Sequence, residues 1–312
     1  MPGYAWLSLT TDYGLSDGFV AACHGAVARI APEVRVIDVS HLVPPGNVAR
    51  GATVLSQTVG HLPPAVHVAV VDPGVGTARR GVALATPGGL LVGPDNGLLP
   101  RAAAVLGGIT GAVELTSTTW FPDPSRTFHG RDVFAPAGAR FALGAPLTDA
   151  GPAVDPATLV RLPEPVVAEG AGWLEAEVLA VDHFGNVQLA AAGSALRRLP
   201  AALRVAPTIP AAGTHTAGEA GTHTAGEAGT HTAGEAGTHT AGEAGAQAAR
   251  DTGKRAARDT GKRAVRGGTF GDAPSGGLVV YADSADHLAV AVNGGRADEL
   301  LGVTAGDVLR LE

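Results

Sequence analysis

Five short segments of this sequence place carboxylate, guanidinium, amide or imidazole side chains beside glycine. Carboxylates and imidazoles can bind hydroxyls and move protons, and glycine lets the backbone turn tightly around a bound molecule. We therefore take these segments as candidate functional loops. In chain order they read TDYGLSDGFV (11–20), VDPGVGTARR (71–80), GPDNGLL (93–99), FHGRDVFAPA (128–137) and VDHFGNVQL (181–189).

The first segment carries two carboxylates, Asp12 and Asp17, around a turn that precedes a predicted helix. Side chains in that position can bind hydroxyl groups or an amine. They can equally serve the backbone, with Asp17 capping the helix and Asp12 forming an Asx turn. The residues alone leave both interpretations open.

The second segment is a rigid turn, rich in glycine and proline, that brings Asp72 close to Arg79. It lacks the Lys-Ser/Thr ending of a P-loop and the spacing of a dinucleotide fingerprint, which excludes nucleotide phosphate binding here. We expect the carboxylate and the guanidinium to form an ion pair. In the third segment, Asp95 or Asn96 is expected to cap a helix that begins near Leu98.

The fourth and fifth segments each allow a structural and a functional interpretation. His129 stands at the start of a helix that runs toward Leu143. A lone histidine is more often structural, but a position in a ligand-facing loop favours a catalytic role. The stretch from Asp182 to Asn186 is a tight turn after a strand, which suits a plain hairpin as well as a binding site.

Alternating strands and helices predict an N-terminal parallel-sheet α/β domain over residues 1–165. In such a sheet, ligands bind beyond the carboxyl ends of the strands, so the residues directly after each strand are the ones to examine. The predicted strands are Tyr4–Thr10, Val34–Val39 and Val66–Val71, and the predicted helices are Ser16–Ile30, capped by Ser16 or Asp17, and Asn47–Leu62, capped by Asn47.

Residues 170–312 are predicted to form a smaller β domain, because strand-like runs follow one another with few helical signals. Two octapeptide arrays interrupt it: GTHTAGEA occurs four times from Gly213 to Ala244, and ARDTGKRA occurs twice from Ala249 to Ala264. Neither unit contains Val, Ile, Leu or an aromatic residue, so we expect a disordered insertion at about 207–268.

Composition excludes several classes of protein. The chain is 45% hydrophobic, yet no apolar run approaches the roughly 20 residues that a membrane span needs. Cys23 is the only cysteine, which rules out an internal disulfide and a multi-thiolate zinc site. A net charge of −7 with 4% aromatic residues argues against nucleic acid as a partner. The first ten residues lack the basic start of a secretory signal, so we expect a cytoplasmic protein.

In this order, the five segments resemble the S-adenosylmethionine hydroxide adenosyltransferase family, whose halide-using relatives are the fluorinase and the chlorinase. The resemblance covers Leu7 to about Leu189 and resumes from Tyr281 to Leu311. It implies an N-terminal α/β domain and a C-terminal β-barrel-like domain. It also implies a homotrimer with active sites between subunits, and a reaction in which S-adenosylmethionine is the substrate and no metal or cofactor takes part.

The same resemblance implies that Asp72, Arg79 and His129 orient and activate water, which attacks the 5′ carbon of S-adenosylmethionine to give adenosine and methionine. We expect Asp72, paired with Arg79, to orient the water and His129, which titrates near neutral pH, to take its proton. Two alternatives remain, a chloride- or fluoride-using enzyme and a nonhydrolytic module that binds S-adenosylmethionine or adenosine. Arg79 argues against the first, because a halide needs an uncharged pocket.

The resemblance also assigns residues to the substrate. Asp12 is expected to bind the ribose hydroxyls, and Asp17 and Asp182 to hold the methionine amine. Asn186 is expected to bind adenine. Ser284 corresponds to a residue that contacts the methionine carboxylate, whereas the next residue is an alanine where the fluorinase has an arginine.

Overall fold

The computed structural model describes residues 3–208 and 261–312 of the chain, and these form two sheets. The GTHTAGEA array lies outside the described residues, as does most of the ARDTGKRA array. The disorder expected for them therefore stays a prediction. Within the described ranges, no helix is long and apolar enough to cross a bilayer.

The N-terminal sheet has six strands in the order β2-β1-β3-β5-β4-β6. Neighbouring strands run parallel from β2 to β5, while β4 runs antiparallel to both of its neighbours, so the sheet is mixed rather than purely parallel. The short connection between β4 and β5 explains this, because two residues allow only a hairpin. The strands are β1 (Trp6–Thr11), β2 (Arg35–Ser40), β3 (Ala65–Val70), β4 (Gly81–Thr86), β5 (Gly89–Pro94) and β6 (Gly111–Glu114).

Helices cover both faces of this sheet. The side chains of β3 alternate between the two faces, with Val66 and Val68 in one apolar cluster and Ala69 in the other. Because both faces are covered, all six residues of β3 are buried. The helices are α1 (Phe19–Ile30) and α4 (Ala135–Ala142), which pack on one face, and α2 (Val48–Val59) and α3 (Pro100–Val105), which pack on the other.

The helix starts test the predicted caps. Asn47 caps α2 as predicted, since its Oδ1 accepts a hydrogen bond from the backbone N–H of Arg50 at 2.9 Å. The cap predicted for α1 is wrong. That helix begins at Phe19 after Gly18, and no side chain hydrogen-bonds to its first turn.

The C-terminal sheet closes into a barrel, which confirms the predicted β-barrel-like domain. β14 pairs with β8, so the seven strands from β8 to β14 form a closed ring. β7 lies outside the ring and pairs with β8. Alternate residues of β8 are buried, as expected for a strand with one face in a core. The strands are β7 (Val167–Gly170), β8 (Trp173–Val181), β9 (Val187–Ala192), β10 (Ala202–Pro207), β11 (Lys262–Arg266), β12 (Leu278–Ala282), β13 (His287–Val292) and β14 (Val308–Leu311), and a short helix, α5 (Ala297–Leu301), precedes β14.

The predicted end of the insertion at 268 needs correction. The last residues of the second ARDTGKRA unit run into Val265 and form β11, which lies between β10 and β12. Ala264 is buried in the barrel core, and Val265 packs against a separate small cluster formed by Ala273, Val279 and Ala291. The repeat pattern does not predict this strand, because the apolar residues of the strand, Ala264 and Val265, come only at the end of the final copy and directly after it.

Replacing residues 209–260 by a short Gly-Asn turn should leave the fold intact. β10 and β11 are antiparallel neighbours whose register pairs Val205 with Lys262, so the two ends to be joined are adjacent. We expect an unchanged circular dichroism spectrum and a thermal midpoint within about 4 °C of the full chain. Deleting residues 207–268 instead removes β11 and should abolish cooperative unfolding. Equal behaviour of the two deletions would contradict this account of the barrel.

Candidate active site

The loop between β3 and β4 holds Asp72 and Arg79 in a buried ion pair, as predicted. The Nε of Arg79 donates to both carboxylate oxygens of Asp72, at 3.0 and 2.9 Å, and Nη2 donates to Oδ2 at 2.5 Å. The side chain of Arg79 is 12% exposed and that of Asp72 is 5% exposed. Each charge stabilises the other in this poorly solvated position, because an unpaired buried charge would destabilise the fold.

Neighbouring groups fix the shape of this loop. Gly76 has a φ of +78°, and a Cβ there would lie 2.7 Å from the carbonyl oxygen of Arg126, so only glycine fits. Asn96 donates to the carbonyl of Val71 at 2.8 Å. Asp95 accepts from the Nε of Arg80 at 2.9 Å. These two residues therefore support the loop and do not cap a helix as predicted; α3 begins later and has no side-chain cap.

His129 completes the cluster from the other side of Arg79. Its Nδ1 lies 2.7 Å from Nη2 of Arg79. A guanidinium has no acceptor, so Nδ1 must be the acceptor and the proton of the neutral ring is on Nε2. Burial and the charge of Arg79 lower the pKa of His129, which keeps the ring neutral near pH 7. The arrangement favours a histidine that holds the guanidinium over one that takes a proton from water.

Aromatic packing joins the His129 loop to the loop after β1. A Cβ at Gly130 would collide with the hydroxyl of Tyr13, so the two loops meet at a glycine. The ring of Tyr13 packs edge-on against Phe128 at 5.6 Å between centroids, and burial raises the pKa of Tyr13. Phe134 lies on the other side of the cluster, with its ring 5.2 Å from the guanidinium carbon of Arg79. Arg79 is thus held by charge, hydrogen bonds and a cation–π contact.

The two acidic residues of the first segment have different surroundings. Asp12 accepts a hydrogen bond from the backbone N–H of Gly46 at 2.8 Å and so joins the loops after β1 and β2. Asp17 is exposed and does not cap α1. The Asx turn and the helix cap considered from the sequence are therefore both wrong for these side chains.

A second group of predicted residues lies at a cavity of about 790 Å³ beside the barrel. Asp182, Asn186 and Ser284 line it. Asp182 orders the turn after β8, since its Oδ1 accepts from the backbone N–H of Phe184 and of Asn186, both at 2.9 Å, and its Oδ2 accepts from the amide of Asn186 at 2.7 Å. The turn is a hairpin between β8 and β9 and also a wall of the cavity.

The two groups stay apart within one chain. The lining of the cavity includes Asp182, Asn186 and Ser284, whereas the Arg79 cluster and the acidic residues of the first segment are absent from it. A single chain therefore presents two separate sets of the predicted residues.

Comparisons with known proteins decide the family. Residues 7–151 match the model of the SAM hydroxide adenosyltransferase N-terminal domain, and residues 241–310 match that of the C-terminal domain. A (R)-S-adenosyl-L-methionine hydrolase from Salinispora tropica is 55% identical over 98% of this chain and 97% of its own. The chain belongs to the SAM hydroxide adenosyltransferase family.

More distant matches include a fluorinase, by sequence, and a protein of known crystal structure. A fluorinase from Actinoplanes sp. is 31% identical over 58% of this chain and 70% of its own. A crystal structure of an uncharacterized conserved protein from Thermotoga maritima, 28% identical, superposes with a TM-score of 0.77 and covers 98% of this chain and 100% of its own. The overall fold is thus shared with the Thermotoga maritima protein along nearly the whole length of this chain.

Arg50 is a candidate functional residue that the sequence analysis missed. It lies on α2 and lines the barrel cavity together with Asp182 and Ser284. Burial lowers the pKa of Arg50, against the opposing charge of Asp182. Among the described residues no carboxylate pairs with it. A basic residue in the first turn of a helix gave no signal in the sequence, because only the fold brings it to the barrel.

A chain of amides connects α2 to the loop that carries Ser284. The amide of Gln57 donates to Oε1 of Gln188 at 2.6 Å, and Gln188 donates in turn to Oδ2 of Asp283 at 2.5 Å. The other carboxylate oxygen of Asp283 accepts from the backbone N–H of Ala285 and of His287, both at 2.9 Å. Arg50 and Ser284 are therefore held in one framework at the cavity.

Proposed function

We propose that this chain hydrolyses S-adenosyl-L-methionine to adenosine and L-methionine, as the names of its most similar relatives say of those proteins. The observation that supports this most is Arg79, held between Asp72 and a neutral His129. The cluster suits a reaction that needs a positioned water and little other chemistry, because the sulfonium of the substrate is already a good leaving group.

In the proposed reaction, the water oxygen bonds to the 5′ carbon as the carbon–sulfur bond breaks, and the bonding electron pair leaves with sulfur as neutral methionine thioether. The hydrogen bonds of Arg79 to described residues use Nε and Nη2, which leaves Nη1 for the attacking water. The attacking water becomes a protonated alcohol, which is a strong acid. That proton passes to solvent water, and no cofactor is needed.

The halide alternative is weaker because of charge. Asp72 places a full negative charge against Arg79. The ion pair as a whole is neutral, so it offers an incoming anion little attraction to offset the cost of taking that anion out of water. Water carries no charge and avoids most of that cost.

The barrel cavity is proposed to hold the substrate, with Asp182 toward the amine, Asn186 toward adenine and Ser284 toward the carboxylate. Arg50 supplies the positive charge that the carboxylate needs. Asp12 is proposed to bind the ribose and Asp17 the amine. Because one chain separates the cavity from the Arg79 cluster, we propose a homotrimer in which the two sets meet between subunits. Action in the cytoplasm stays a prediction from the sequence.

A reaction in oxygen-18 water tests the nucleophile. We expect adenosine with the label in its 5′ hydroxyl, and for Arg79→Met a rate constant at saturating substrate that is about 10²- to 10³-fold lower. Formation of 5′-chloro-5′-deoxyadenosine when chloride is added would show a halogenase. Tight binding in calorimetry without any product would show a binding module.

The pH profile of His129→Asn tests the role of His129. Protonation of Nδ1 removes the acceptor of Arg79, so the wild-type rate should fall only below the usual histidine value of about 6.5, in line with its lowered pKa. Asn offers Oδ1 in place of Nδ1 and does not titrate. We expect the acid limb to disappear and the rate at pH 8 to stay within about tenfold.

His61→Asn, which alters an exposed histidine, is the matched control and should keep the wild-type profile. If His129→Asn instead loses about 10²- to 10⁴-fold at every pH, His129 acts as the base and our assignment of its role is wrong.

Arg50→Gln should raise the KM for S-adenosylmethionine about 10- to 100-fold with little change in kcat, because the substrate loses one charge-assisted hydrogen bond. Decarboxylated S-adenosylmethionine lacks the group that Arg50 binds, so its KM should not change. Arg161→Gln, an exposed arginine, is the control. An equal rise in KM for both substrates would show that Arg50 does not bind the carboxylate. It would not contradict the proposed hydrolysis.

A further inference from the structure

Three side chains with metal-binding atoms meet at one edge of the N-terminal sheet, apart from the groups described above. His24 lies on α1, Asp38 on β2, and His41 directly after β2. The Nε2 atoms of His24 and His41 lie 2.9 and 3.0 Å from the same carboxylate oxygen of Asp38. All three ligand atoms are within 4.8 Å of one another.

His41 is held in the orientation that a metal ligand needs. Its side chain is 4% exposed, and its Nδ1 lies 2.8 Å from the hydroxyl oxygen of Thr11. We assign the proton to Nδ1, which donates to Thr11 and leaves the lone pair on Nε2. A hydrogen bond of this kind at the far nitrogen is what fixes the ring of most metal-binding histidines.

The Nε2 of His41 is itself unsatisfied. It is fully buried, and with the proton on Nδ1 neither Nε2 nor the carboxylate oxygen of Asp38 carries a hydrogen, so Nε2 has no hydrogen-bond partner in residues 3–208 and 261–312. Leaving a buried polar atom without a partner is unfavourable, because it loses its hydrogen bonds to water. A cation between His41 and Asp38 would remove that cost.

Access to the cluster comes from the solvent side. His24 and Asp38 are 37% and 44% exposed, so an ion can enter, and water can complete its coordination. Two neutral imidazoles and one carboxylate are a donor set that suits Zn²⁺ and similar divalent transition ions, and it is a poor set for Mg²⁺ or Ca²⁺, which prefer oxygen.

We propose that His24, Asp38 and His41 form a binding site for a divalent transition ion, with Zn²⁺ as the natural occupant. The site is separate from the Arg79 cluster and takes no part in the proposed reaction. Its effect is on the loops after β1 and β2. The carbonyl of His41 accepts from the backbone N–H of Gly14 at 2.8 Å, so an ion bound to His41 stiffens the loop that carries Asp12.

The test uses the full chain, freed of metal with a chelator and then titrated with Zn²⁺ and with Co²⁺. The repeats also contain histidines, at positions 215, 223, 231 and 239, so the readout is the difference between variants. His24→Gln and Asp38→Asn remove one exposed ligand each, which avoids disturbing buried His41. His61→Gln is the matched control for loss of an exposed histidine.

We expect wild type and His61→Gln to bind one more equivalent of Zn²⁺ than His24→Gln or Asp38→Asn, and to show a Co²⁺ visible absorption band that the two ligand variants lose. Affinity at this site should fall at least about tenfold in each ligand variant, since even hydrogen-bond partners of metal ligands contribute about 10- to 100-fold. Equal stoichiometry and identical Co²⁺ spectra in all four proteins would overturn the proposal.

Discussion

The pairing of Arg79 with Asp72 is the constraint on which the rest of the N-terminal site depends. A paired carboxylate stabilises a guanidinium that is almost out of water, and the hydrogen bonds from Nε and Nη2 provide that pairing within one short loop. The surrounding structure serves to keep this pair in place. Gly76 lets the loop close, Asn96 holds its first turn, and the ring of Phe134 lies against the guanidinium.

The barrel contributes a different constraint, because its hydrogen bonds connect α2 to the loop that carries Ser284. Gln57, Gln188 and Asp283 form a relay of hydrogen bonds from α2 to the loop beside Ser284. Gln57 donates to Gln188, which in turn donates to Asp283, so the relay has a fixed direction, and reversing the amide of Gln188 would break it. Because these hydrogen bonds fix α2 against the barrel, they also keep Arg50, on the same helix, at the barrel cavity.

Local patterns predicted the parts of the structure that local physics decides. The proximity of Asp72 to Arg79 follows from a tight turn, and the cap at Asn47 follows from its side chain alone. The reversed direction of β4 and the strand β11 depend on pairing with distant segments, and sequence reasoning missed both. Arg50 and the protonation of His129 were missed for the same reason, because each depends on a contact many residues away.

Charge decides what the Arg79 cluster can do. Asp72 and Arg79 cancel, and His129 is neutral, so the cluster has no net charge when the substrate arrives. In the proposed reaction, the sulfonium of S-adenosylmethionine then brings a positive charge to this cluster. Attack by neutral water moves that charge from sulfur toward oxygen and spreads it over both atoms, a change that a poorly solvated site does not oppose. Attack by an anion would first have to bring the anion into the same site, at a desolvation cost that water does not incur. The carboxylate that holds Arg79 in place therefore also favours water over halide.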